Sequence, residues 1–324
     1  MSKKMKININ GCFSYIGIVI LLAFFGIVTG FKSLTVGNLL LILQQSYVLL
    51  ICATGVFFVM SMGSLDFSQG AIIGVASIAV ILAGQEHIAL GLIAGIIVGT
   101  VIGLINGILH AHFKIGSFIV TICTMLAFRG LCAFLTTDAP YSAPIYMYMM
   151  DADKFAIPIV ALVLFGGVLV SRYTEIGQYV RMIGAGETAA RFSGIKIEKI
   201  KIISFAAAGA LAGLGAGFLY LCGIEQWSCA QTAVPNMGFN GIAAAFLGGI
   251  HPIGVIFSSF FIQHITSGGA YVDKMVYCSQ ISDLIAAIII YFCGFVLFFK
   301  HVMRSRIQKS QDKKKNAAEK KGGE

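Results

Sequence analysis

Long apolar runs separated by short polar intervals repeat along almost the whole chain. Ten stand out, at about 12–31, 39–62, 68–84, 88–109, 116–136, 156–172, 202–222, 238–250, 252–268 and 281–299. Runs of roughly 17–25 apolar residues predict helices that cross a ~30 Å hydrocarbon core. The expected fold is therefore all-α and polytopic. The eighth run holds about 13 residues, which at 1.5 Å per residue reach only ~20 Å. It is expected either to span or to pair with the ninth as a re-entrant element, and both chain ends then lie on one side. The fourth run carries Gly91, Gly95, Gly99, Gly103 and Gly107, and the seventh carries Gly209, Gly213 and Gly217. Glycines four apart line one helix face and let a neighbouring backbone come close.

The longest polar interval, Tyr173–Lys201, is dense in cations. Its centre predicts a short helix: Glu187 and Thr188 at the positive dipole end, Ala189-Ala190-Arg191-Phe192 as the body, and Ser193-Gly194 as a stop that tolerates φ > 0. Small alanines on such a helix would let a partner approach closely.

Charge orients the segments. Of 23 Lys and Arg, only Lys32, Lys154 and Lys274 fall on the far side, and Arg129 lies inside a segment. The rest cluster before the first run, at Lys114, from Arg172 to Lys201, and from Lys300 onward. By the positive-inside rule both termini and the central loop are cytoplasmic. Three regions result: a cytoplasmic N-terminus at 1–11, a transmembrane domain at 12–299 with the loop 173–201, and a disordered basic cytoplasmic tail at 300–324. The composition agrees, with 58% hydrophobic and 11% charged residues against about 25% charged in ordinary soluble chains. The +9 net charge thus reflects topology and not nucleic-acid binding. Lys3, Lys4 and Lys6 precede a first run too long for a cleaved leader, which is kept as a span. The eight cysteines form no C-x-x-C pair, so neither a metal site nor a disulfide framework is expected.

Candidate chemistry is sparse. Two nearly loop-free connections, Gly63–Gly70 with Asp66 and Ser68, and Gly248–Gly254 with His251, are glycine-rich and each holds an ionisable residue. Irregular backbone at membrane depth is tolerated where protein or water satisfies it, so Gly63, Asp66, Ser68, Gly70 and His251 are candidate pathway residues. Two tight turns, with Asp66 as an N-cap, explain them as well. Arg129, inside the fifth run, is either a pathway residue or half of a structural ion pair; His264 and Asp283 pose the same choice. The outward stretch Thr137–Lys154, with Asp138, Asp151, Asp153 and Tyr141, Tyr146 and Tyr148, is either a docking surface or a headgroup-level loop. The sequence contains no phosphate-binding G-x-x-x-x-G-K-[ST], G-x-S-x-G or H-E-x-x-H, so no enzyme activity or bound cofactor is expected.

Gly63–Gly70 resembles the GGIDLSVG motif, and Gly184–Ile195 the GGNxxAARxSGI motif, of permease subunits of bacterial ATP-binding cassette importers of the ribose and branched-chain amino acid type. The likeness runs from about Leu39 to Phe299 and includes Asn106-Gly107, Phe118–Thr121, Arg129-Gly130 and Ile200–Gly217. It is nearest the ribose-like sugar arm, while Gly238–Gly254 is similar to the nucleoside-importing arm. The resemblance implies a multi-pass permease of the bacterial plasma membrane for a ribose-like monosaccharide, with a nucleoside as alternative solute. A stand-alone secondary carrier is a more distant reading. It also implies a second permease subunit, identical or not, cytoplasmic ATP-binding subunits that use the ATP, and an extracytoplasmic solute-binding protein. The short helix becomes a coupling helix bedded on the ATPase, with Gly184, Gly186, Glu187, Ala189, Ala190, Arg191, Ser193 and Gly194 at that contact.

Overall fold

The computed structural model describes residues 35–149, 152–221, 226–227, 237–268 and Tyr291. The first and tenth runs, the N-terminus, the basic tail and Asp283 lie outside these residues. The helices in order are α1 (Val36–Ser61), α2 (Gln69–Ala83), α3 (Ile88–Ala111), α4 (Ser117–Leu135), α5 (Ile145–Met149), α6 (Ala152–Tyr173), α7 (Glu175–Ala185), α8 (Glu187–Phe192), α9 (Ile197–Leu221), α10 (Met237–Leu247) and α11 (Pro252–Gly268). Two-residue strands β1 (Tyr141–Ser142) and β2 (Gln226–Trp227) pair antiparallel, Tyr141 opposite Trp227.

Among the described residues, five helices, α1, α3, α4, α6 and α9, are long and apolar enough to cross a membrane. They divide by burial. Most of α1 and α9 is enclosed by protein, whereas α3, α4 and α6 leave most of their apolar surface outward. Exposed Ile93, Ile97, Val101, Phe118, Leu126, Leu162 and Phe165 belong to that outward face. An apolar exterior suits helices whose solvent is lipid.

Helix α1 lies at the centre. One of its sides, with Tyr47, Val48, Ile51 and Cys52, joins a core with Ile72, Ile73, Ala212, Ala216 and Phe218. Another, with Leu49, Ala53, Val56, Phe57 and Met60, packs on Ile242–Ala245 and Ile262 of the α10–α11 hairpin. The two glycine ladders pack on each other. A methyl on Gly99 would fall on the Gly209 carbonyl oxygen, and one on Gly95 would lie 2.6 Å from that of Gly213. Gly103 and Gly107 meet Phe205 and Ile202 in the same way. Only glycine allows this approach, so the α3–α9 backbones touch.

Segment ends differ from the expected ones where polar residues continue a helix. Helix α9 starts at Ile197, taking in Glu198, Lys199 and Lys201, and α6 starts at Ala152. The loop 173–201 is also more structured than a single short helix predicts. Helix α7 fills its first half, capped by Thr174 Oγ1 accepting from the Gly177 N–H. It buries Gly177, Val180 and Ile183, a three-residue spacing that was legible as one helical face.

A broken helix and a connecting loop as candidate functional site

The first site is the break between α1 and α2. Helix α1 stops when the N–H groups of Met62, Gly63 and Ser64 turn back on the carbonyls of Val59 and Met60, with Gly63 at φ +80°. Residues Ser64–Phe67 then run without helical structure to α2. At 15 residues, α2 covers only ~22 Å, so it crosses a ~30 Å core incompletely. Its first residues lie against the start of another short helix: a methyl on Gly238, in the first turn of α10, would sit 2.6 Å from the Gly70 nitrogen.

The break is held by buried polar side chains. Asp66, 1% exposed, accepts at Oδ1 from the Ser68 N–H at 2.9 Å and the Ser68 hydroxyl at 2.5 Å, and at Oδ2 from Gln69 Nε2 at 2.6 Å. The N-cap of α2 is Ser68, not Asp66. Asp66 instead closes a side-chain turn just ahead of it, which corrects the N-cap expectation. Asn106 of α3 donates to Ser68 Oγ at 2.9 Å and accepts from Thr124 of α4 at 2.6 Å. His110 Nε2 and Ser64 Oγ stand 3.2 Å apart, and the Leu65 N–H donates to Ser117 Oγ. One buried acceptor of this network, Gln69 Oε1, has no partner among the described residues. Beside this network Phe67 stacks edge-on with Phe118 and tilted against Phe239, centroids 5.5 and 5.7 Å apart.

The other candidates lie elsewhere. Gly63 and Gly70 frame the network, but His251 does not join it: its Nε2 meets Arg172 Nη2 at 2.9 Å in a separate cleft. Partial burial, then the Arg172 charge, holds the His251 pKa below its ordinary value. Arg129 is half-buried, and among the described residues it forms no ion pair. His264 is buried, and neither ring nitrogen has a partner among the described residues. In the Thr137–Lys154 stretch, Asp153 turns inward and accepts from Gln44 and Tyr47 of α1, and the Tyr146 hydroxyl donates to the Gly84 carbonyl. Asp151 lies outside the described residues.

The second site is the loop. Helix α8 occupies the predicted Glu187–Phe192 and ends at Gly194, φ +80°. Its orientation corrects one expectation. Ala190 is 1% exposed and packs inward with Met62, Val180, Ile183, Ile197 and Ile200, so it is not open to a partner. Ala189, Arg191, Ser193 and Gly194 are exposed, and Phe192, expected only as part of the helix body, stands 89% exposed. Arg191 pairs with Glu198 at 2.8 Å, and Glu187 pairs with the buried Lys201. Both pairs tie α8 to the first turns of α9. Gly184 abuts the carbonyl of Ser61 at the end of α1; Gly186 has open space around it.

The family described as "Branched-chain amino acid transport system / permease component" matches residues 38–294, which include both sites. The chain belongs to this family. The permease is a multi-pass inner-membrane protein, and the apolar helices of membrane-spanning length among its described residues agree with this. It is 29% identical over 227 residues to the ribose import permease protein RbsC of Escherichia coli strain K12, covering 66% of this chain and 70% of that one. It is 34% identical over 223 residues to RbsC of Bacillus subtilis strain 168, covering 65% and 68%. The nucleoside ABC transporter permease protein NupB of Lactococcus lactis strain MG1363 is 32% identical over 168 residues, covering 52% of the permease and 44% of that relative. No solved structure matches.

Proposed function

We propose that the permease forms part of the membrane pore of an ATP-driven importer for a ribose-like monosaccharide. Relatives named as ribose, fructose and xylose permeases support a sugar. A nucleoside is the second reading, favoured by the likeness to NupB. In the full assembly the chain crosses the membrane about ten times with both termini cytoplasmic. It sits beside a second permease subunit, above cytoplasmic ATPases and below a solute-binding protein. It carries no chemistry of its own.

One observation supports the mechanism: an unbroken series of contacts links α8 to the break. Helix α8 is ion-paired to α9, α9 interlocks with α3 through glycines, and Asn106 of α3 holds Ser68 at the start of α2. A push on α8 is thus delivered as a rigid-body movement to the network where α2 begins. The short helices starting there, with their positive ends and the Phe67 cluster alongside, suit a path for a polar ring-shaped solute.

The test uses the complex reconstituted with its ATPase and binding protein. Phe192→Asp should lower solute-stimulated ATP hydrolysis at least about tenfold, the size of a central contact residue, while leaving insertion intact. Ala190→Trp should instead reduce folded yield, because its site is internal. Unchanged hydrolysis with Phe192→Asp would reject α8 as the coupling element. Stimulation by a nucleoside but not by ribose would select the second reading.

A further inference from the structure

Where α1, α6, α7 and the α10–α11 turn come together, an open cleft of about 440 Å³ is lined by Ser61, Arg172, Tyr173, Arg181, Ile250 and His251, among others. No carboxylate among the described residues lines it. The ion pairs among the described residues use Arg191 and Lys201, and neither Arg172 nor Arg181 has an acidic partner there. Both guanidinium groups are nevertheless held in place. Arg172 donates to His251, and Arg181 Nη1 donates to the Ser171 carbonyl. Capping the end of α6 accounts for one donor on Arg181, but a guanidinium carries five in a fixed fork. Both side chains line the cleft, and α11, 17 residues long, begins at its wall with Pro252. The free N–H groups of a helix start add positive potential. Exposed Tyr173 and Ile250 form an apolar rim.

We propose that this cleft binds a phosphate group, gripped between Arg172 and Arg181. Two preorganised guanidinium groups and a helix start, with no competing carboxylate among the described residues, are the chemistry that recognises a tetrahedral oxyanion. The source is either the headgroup of an anionic phospholipid or free phosphate. The site shares no residue with the buried network around Asp66, and the inference does not depend on which solute is carried.

The experiment measures melting temperature and apparent Kd for the full chain in detergent. Ligands are inorganic phosphate or phosphatidylglycerol, against chloride at matched ionic strength. Phosphate or phosphatidylglycerol should stabilise the wild type, and Arg172→Gln and Arg181→Gln should each weaken binding about tenfold. Lys196→Gln, which removes an exposed cation outside the cleft, should change nothing. If Arg181→Gln fails to fold, Arg172→Gln carries the comparison. A response to phosphatidylglycerol alone assigns a lipid headgroup, and a response to inorganic phosphate assigns a soluble ion. The proposal is overturned if neither source outperforms chloride. It is equally overturned if Lys196→Gln weakens binding as much as Arg172→Gln. Loss of ATPase co-purification without phosphate binding would make the cleft a protein contact and overturn it too.

Discussion

Gln69 has an amide with one hand occupied: its nitrogen donates to Asp66 while its buried oxygen has no partner. This asymmetry predicts how Asp66 tolerates change. In Asp66→Ala the Ser68 N–H and the Gln69 amide lose their acceptor, at about 1–3 kcal/mol for each buried donor left unpaired. Folded yield and melting temperature should both fall. In Asp66→Asn a turn of the Gln69 amide offers its oxygen to the new NH₂, so the fold should survive. Uptake then reports the charge alone, and equal stability of the two variants would refute the network as drawn. His251 carries a pH prediction. Its pKa is lowered in the folded protein, so the fold favours the neutral ring that accepts from Arg172. The contribution is complete above the unfolded value of about 6.5 and fades as pH falls through the lower folded value. Between pH 7.5 and 5 the wild type should lose melting temperature relative to His251→Gln, which keeps an acceptor but does not titrate. Arg172, Arg181 and Tyr173 are the charged or titratable groups facing it. That Asp66 and His251 fall at breaks between helices was legible from glycine-flanked polar residues in apolar surroundings. That they lie in separate surroundings was not, because Asn106, which joins the Asp66 network through Ser68, and Arg172, which meets His251, are distant in sequence.

At the scale of elements, spacing in the sequence carried most of the information. Glycines four apart marked the faces of α3 and α9, and the structure supplies only that the two faces meet. Gly99→Ala should destabilise by at least about 1–3 kcal/mol, the usual cost of overfilling a packed interior, because its methyl collides with backbone and not with a movable side chain. Gly130→Ala, with nothing within 4 Å, is the matched control; equal losses in thermal unfolding would refute the interlock. Helix α8 was legible from its glycine stop, yet its facing was not. A six-residue helix has too few positions for periodicity to show which side turns inward. Ala190 and Ala189 look alike in sequence, and only the cluster around Met62 and Val180 separates them.

For the whole molecule, the alternation of apolar runs and polar gaps was enough to predict an all-helical membrane protein, and helix ends agree closely wherever the flanking residues are turn-formers. Orientation rests on charge and has its own test. Single cysteines in a cysteine-free background at Ser142 and Ser193, both exposed, should react with impermeant reagent from opposite sides, Ser142 from outside. Reaction from one side would refute the segment count. The helix exchange between α3 and α9 also governs how the molecule can move. A contact surface that repeats every four residues is commensurate with itself. Sliding α9 by four residues, about 6 Å, would again set glycine against glycine, so the ladder specifies separation but leaves axial phase open. Phase must come from residues outside the repeat: Phe205, wedged beside His110 with centroids 5.6 Å apart, and Lys201, anchored to Glu187. A change at Lys201 would therefore reach the interior as a displacement along the helix axis, not as a loosening of the pair.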